Sequence, residues 1–184
     1  GLVLSDKVDL ILAVGIEPVK AAKKATVENK IPVILGLGVN PASIGIVDSF
    51  QHPGGNITGV TWQVEELTGK RLEFLKKVDP RVKRVVIFRK KGNTAMDVPL
   101  QGLAPIAKNL GITITVKDVV DLEDLKKVVL STTARDTDAF FYTVDPFVSR
   151  NINLLVNQAI DQKLSSMFHD ENWVTAGGLS SYGG

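Results

Sequence analysis

Apolar positions in this chain fall into short unbroken runs, separated by longer stretches in which they recur at helical spacing. The runs at 10–14, 32–37, 57–61, 84–89, 112–117, 139–143 and 166–169 predict strands. Most are continuous rather than alternating, as expected of strands covered by helices on both faces. Between them, Ile152, Leu155, Val156, Ala159 and Ile160 fall at helical spacing. Asp121 predicts an N-cap, followed by a buried stripe of Leu122, Leu125, Val128 and Val129. Over 69–78, Leu72, Leu75 and Val78 share one side. A further helix is expected near 97–110, kinked or shortened by Pro105.

Strands alternating with helices imply parallel sheet and right-handed crossovers. The series pauses once, at "HPGGNITGVT", residues 52–61. Pro53 fixes φ, Gly54 and Gly55 tolerate positive φ, and Asn56 suits a turn. Two βα units precede this break; a helix and a fresh βαβαβαβ series follow it. The expectation is an α/β protein of two lobes, with residues 57–63 passing from one to the other. Gly59 would let that strand approach a neighbour closely, or flex where lobes meet.

Composition narrows the function classes. A chain of 184 residues is long enough for one domain or two small lobes with real cores. Net charge is +2 with the basic residues scattered, so there is no electrostatic case for nucleic acid. The apolar runs are strand-sized, too short to span a membrane. Absence of cysteine excludes disulfides and thiolate metal sites. The chain opens on "GLVLSDKVDLILAVG", with no Met, basic n-region or cleavage pattern, so no export signal is visible. It stops at "GGLSSYGG" as a new extended segment begins, and both ends read as cuts inside a larger protein.

In open parallel sheets, ligands collect beyond the carboxyl ends of the strands. The loops there offer Gly15, Ile16 and Glu17; Asn40 and Ser43; Asn93 and Thr94; Asp145; and Asp170, Glu171 and Trp173. Each residue also has a structural reading. Asp145 before Pro146 is a good N-cap, and Glu17 before Pro18 complements a helix N-terminus. Asn40, Asn93 and Thr94 suit turns and caps, and Trp173 suits a core. Catalytic motifs are largely missing. "GLGVNP" imitates a dinucleotide fingerprint, but Pro41 stands where the third glycine belongs. There is no P-loop or nucleophile elbow, and only His52 and His169 could serve a triad or a histidine metal site. "HDE" at 169–171 could ligate a metal only if adjacent side chains converged. Asp145 and Glu171 could form an acid/base pair, but nothing in the sequence places them together.

Three stretches carry a resemblance. "HPGGNITGVT", "TGKRLEFLKKVDPRVKRVVIF" and "AGGLSSYGG", in this order and spacing, resemble the ABC-transporter substrate-binding proteins that include the tryptophan and tyrosine uptake receptors. The resemblance runs essentially end to end. It implies a type I periplasmic-binding-protein fold: two Rossmann-like lobes with parallel sheets, here truncated at both ends, closing on a ligand. On this reading 1–61 is part of the first lobe, 62–178 is the second, and 179–184 starts the return crossing. It implies no cofactor, no metal and no catalysis, a small-molecule ligand, an ABC permease as partner, and a monomer at full length. It also implies export, to the periplasm or to a lipid anchor on the outer face of the membrane. "AVGIEP" matches the family's "VGTPAA" loop, and "GVNPAS" its "GDPVAS" loop. "KGNTAM", "TVDPF" and "HDENWV" match the ligand loops of the second lobe, which makes Gly15, Ile16, Glu17, Asn40, Asn93, Thr94, Asp145 and Glu171 the expected ligand residues. Ile16, Glu17 and Asn40 depart from the family's small hydroxyl, proline and aspartate. The ligand implied is an amino acid or related zwitterion, with Asp145 and Glu17 able to pair with its ammonium and helix N-termini able to hold its carboxylate. A ligand-sensing domain of a signalling or regulatory protein is the alternative, and an α/β enzyme acting between the lobes is a third reading.

Overall fold

A computed structural model describes residues 8–37, 40–42, 44–61, 64–142 and 145–183. The chain forms two compact units, one up to Val64 and one from Glu65 onward. Thr143 at the end of a predicted strand, and Ser43, lie outside the described residues.

The first unit contains β1 (Ile11–Val14), α1 (Ile16–Ala25), β2 (Val33–Leu37) and β3 (Ile57–Thr61). Its sheet is parallel throughout, in the order β1-β2-β3. Register puts Ile11, Val33 and Ile57 on one line and Ala13, Leu35 and Gly59 on the next. Period-2 alternation sends these to one face, where they pack on Val19 and Ala22 of α1 and on Ile46 and Val47. The opposite face carries Leu12, Val14 and Val60 exposed, so full two-sided cover is not what this sheet shows. After β2, turns and bends replace the helix expected of a second βα unit among the described residues.

The "HPGGN" break now has a physical account. Asn56 Nδ2 donates to Thr26 Oγ1 at 2.9 Å and to the Ile31 carbonyl at 2.6 Å, fixing the entry of β3 against the end of α1. Gly59 serves close approach: a Cβ there would sit 2.1 Å from the Leu35 carbonyl oxygen, and its φ is +157°. Neither obstacle is a movable side chain. Gly59→Ala should therefore destabilise the first unit by about 2–3 kcal/mol, the scale of overpacking plus backbone strain. Thermal denaturation checks this; an unchanged transition would mean that β2 and β3 can separate at no cost.

The second unit contains α2 (Val64–Val78), β4 (Arg84–Lys90), a 3-10 turn (Thr94–Met96), α3 (Asp97–Leu110), β5 (Thr113–Val119) and α4 (Leu122–Ser131). It continues with β6 (Ala139–Phe141), α5 (Pro146–Ser149), α6 (Ile152–Asp161), β7 (Ser165–Phe168), α7 (Glu171–Thr175) and β8 (Ser180–Ser181). The sheet is parallel in the order β5-β4-β6-β7-β8. Both faces are covered. Val86, Phe88, Phe140 and Phe168 pack against Leu125 and Val129 of α4 and Leu155, Val156 and Ala159 of α6. Val85, Ile87, Phe141 and Met167 pack against Leu72 and Leu75 of α2 and Leu103 and Ala107 of α3. Continuous apolar runs in β4, β6 and β7 thus follow from burial on two sides.

Several predicted details are corrected. Helix α3 runs unbroken to Leu110 despite Pro105. Gln101 and Pro105 are exposed, so solvent can serve the carbonyl that proline leaves unbonded. Val78, Leu122 and Ile160 are exposed rather than in their stripes. Gln158 is buried instead, donating through Nε2 to the Leu130 and Thr132 carbonyls at 3.2 and 3.0 Å.

Candidate functional site

Strands β4, β6 and β7 end side by side, and the chain leaving each supplies the rim of the second unit. Asp145 holds two of these loops together. It is 0% exposed. Oδ1 accepts the Phe147 and Val148 N–H groups at 2.9 and 3.1 Å, the N-cap geometry its position before Pro146 predicts. Oδ2 accepts the Lys90 N–H at 2.9 Å and Asn93 Nδ2 at 2.8 Å, from the loop after β4. The expectation that Asp145 offers its charge to a ligand cation therefore meets a carboxylate already holding four donors.

Below Asp145 the Tyr142 hydroxyl accepts the Asp145 N–H at 2.5 Å and donates to the Asp145 carbonyl at 2.7 Å. It also lies 2.5 Å from Ser149 Oγ. Burial pushes this hydroxyl up to about 12, so it stays protonated and keeps its donor. The Tyr142 ring lies 4.7 Å from His169 and 4.5 Å from Trp173, and Trp173 stacks on Phe168 at 4.5 Å. Trp173 is 3% exposed, which makes it a core residue. Burial first, and the nearby Arg71 charge second, hold His169 below the usual histidine range. Arg71, on α2, donates from Nε to the Tyr182 carbonyl at 2.5 Å and is buried. Arg71 Nη1 and His169 Nδ1 are buried without a protein partner among the described residues.

The remaining predicted residues separate by unit. Thr94 is exposed at the start of the 3-10 turn, and Glu171 is exposed in the first turn of α7. Asp170 caps that helix by accepting the Asn172 N–H at 2.7 Å, while His169 turns into the aromatic cluster, so "HDE" does not converge. In the first unit Gly15 donates its N–H to the Gly36 carbonyl at 3.0 Å and opens α1. Ile16 packs on the core of that unit, and Glu17 is exposed and pairs with Lys20 at 3.2 Å. Asn40 Oδ1 accepts the Ala42 N–H at 2.9 Å, a local turn.

Residues that sequence reasoning passed over stand beside Asp145. Lys90, Lys91, Phe147 and Arg150 line a concavity with Asn93 and Asp145. The Lys90 ammonium donates to the Val120 carbonyl and lies 5.1 Å from the centre of the Phe147 ring. Only the adjacency of β4 and β6 brings these loops together, and no local motif carries that signal.

In parallel α/β units, ligands collect at a rim of this kind, beyond the carboxyl ends of the strands. A sequence model of the family "ABC transporter substrate binding protein" matches residues 2–184, and the chain belongs to that family. Members of this family are substrate-binding proteins of ABC transporters and are typically extracytoplasmic. A tyrosine-binding protein of Clostridioides difficile (strain R20291) is 24% identical over 180 residues, covering 98% of this chain and 51% of that protein. The chain thus spans about half the length of this curated relative. An ABC domain from Streptococcus pneumonia, solved in complex with L-Trp, superposes with a TM-score of 0.74 at 21% identity, over 97% of this chain and 60% of that one. A LacI family transcriptional regulator from Bifidobacterium animalis subsp. lactis gives a TM-score of 0.63 at 14% identity, over 95% and 62%. The fold is the type I periplasmic-binding-protein fold, and regulators share it. Among the described residues no helix is long and apolar enough to cross a membrane.

Proposed function

We propose that this chain belongs to the extracytoplasmic solute-binding component of an ABC importer, lipid-anchored or periplasmic, delivering its ligand to a membrane permease. The ligand is an amino acid or related zwitterion, held between two lobes by hinge closure; the intact protein is monomeric. Residues 1–61 belong to the first lobe, 62–178 form the second, and 179–184 begin the return crossing. The observation that carries this reading is the family match over residues 2–184, supported by relatives whose names record tyrosine and L-Trp. A ligand touching both lobes shifts the equilibrium toward closure by its differential affinity for the closed state. Gly15, Ile16, Glu17 and Asn40 would meet it from the first lobe, and Thr94 and Glu171 from the second, on a rim shaped by Asn93 and Asp145.

Calorimetry of the intact protein against amino acids, sugars and phosphates tests the ligand class. Amino-acid binding is the expected result; tight sugar binding without an amino-acid signal would refute it. The regulator resemblance favours one alternative, a ligand-sensing domain of a signalling or regulatory protein. A fused DNA-binding or kinase segment in the intact protein would decide for it, and neighbouring permease and ATPase genes would decide against it.

A further inference from the structure

The concavity beside Asp145 has a charge sense opposite to the one its lone acid suggests. Its ionisable lining consists of Lys90, Lys91 and Arg150 against a single carboxylate, that of Asp145. That carboxylate is buried, and its two oxygens accept four N–H groups. Lys91 and Arg150 are exposed and make no ion pair among the described residues. Asp118, whose charge Lys91 feels, is itself engaged by Arg89 at 2.6 Å. Phe147 adds a half-buried aromatic wall.

An ammonium entering here would meet uncompensated positive charge and no free acceptor carboxylate. A carboxylate would meet two unpaired cations, one of them a guanidinium able to bind both its oxygens. We propose that this concavity is a carboxylate subsite: Lys91 and Arg150 hold the anionic end of an organic acid whose apolar body lies against Phe147, and no ammonium is needed on this unit. The inference rests on the reading of the chain as a small-ligand binder and specifies which end of the ligand the second unit takes. It reverses the zwitterion scheme in which Asp145 pairs with an ammonium.

The test uses ¹H–¹⁵N NMR of this chain titrated with 3-phenylpropionate, 2-phenylethylamine and L-phenylalanine. We expect 3-phenylpropionate to shift the amides of Gly92, Asn93, Phe147 and Arg150, while 2-phenylethylamine leaves them in place. The exposed double variant Lys91→Ala/Arg150→Ala should weaken the acid by about tenfold or more, the scale of losing one charge-assisted contact. Equal shifts from the amine, no shifts from the acid at millimolar concentration, or unchanged acid affinity in the double variant would each overturn the proposal. A result in which 3-phenylpropionate titrates the loop but L-phenylalanine does not would support the subsite while counting against the amino-acid reading. The two failures are thereby separable.

Discussion

Asp145→Ala is expected to destabilise the second unit by about 4 kcal/mol, since it strips an N-cap and leaves several buried donors unpartnered at once. The four bonds will not add independently, because Phe147 and Val148 share one oxygen and Lys90 and Asn93 the other. Asp145→Asn separates the two functions of the carboxylate. Asparagine caps helices well, so Oδ1 can keep the Phe147 and Val148 bonds. Its amide nitrogen would then face the Lys90 N–H and Asn93 Nδ2, donor against donor. We expect about half the loss seen with alanine, although as a cap alone asparagine would be nearly neutral. Urea denaturation should show the midpoint falling with little change in slope. A stability within about 1 kcal/mol of wild type for Asp145→Ala would mean that the loops after β4 and β6 do not depend on this brace.

What the sequence made legible follows the range of the interactions concerned. The cap at Asp121, whose Oδ1 accepts the Asp124 N–H at 2.8 Å, depends on neighbours in the chain. Helix faces were read correctly where apolar residues sit at their centres, as with Leu125 and Val129. They failed at the flanks, where Leu122 and Ile160 rotate into solvent and a buried Gln158 finds carbonyls that no periodicity could show. Capping by Asp145 was readable from the proline that follows it. Its second oxygen was not, because Lys90 and Asn93 are more than fifty residues away and only strand order brings them near. For the same reason the unpaired cations Lys91 and Arg150 escaped notice.

Trp173→Ala is expected to cost a similar amount, about 4 kcal/mol, as usual for removing a large aromatic from a packed core. The indole stacks on Phe168 and lies 4.5 Å from the Tyr142 ring, so its loss removes contacts from two other buried aromatics. Collapse into the hole is restricted from the side of the "AGGLSSYGG" segment. A Cβ at Gly178 would lie 2.5 Å from Phe168 Cε2 and 2.7 Å from the Trp173 carbonyl oxygen, and the Gly178 N–H donates to that oxygen at 2.8 Å. That backbone is already in contact and has no side chain to move inward. Trp173→Phe keeps a ring in place and should recover more than half of the loss. Because Tyr142 anchors Asp145 through its hydroxyl, the alanine variant should also disturb the amides of Asn93 and Phe147, which the Asp145 carboxylate bridges. Denaturation and an NMR spectrum of each variant measure both effects. If Trp173→Ala kept wild-type stability and lost only ligand affinity, the indole would be a ligand-stacking surface and its placement in the core would be refuted.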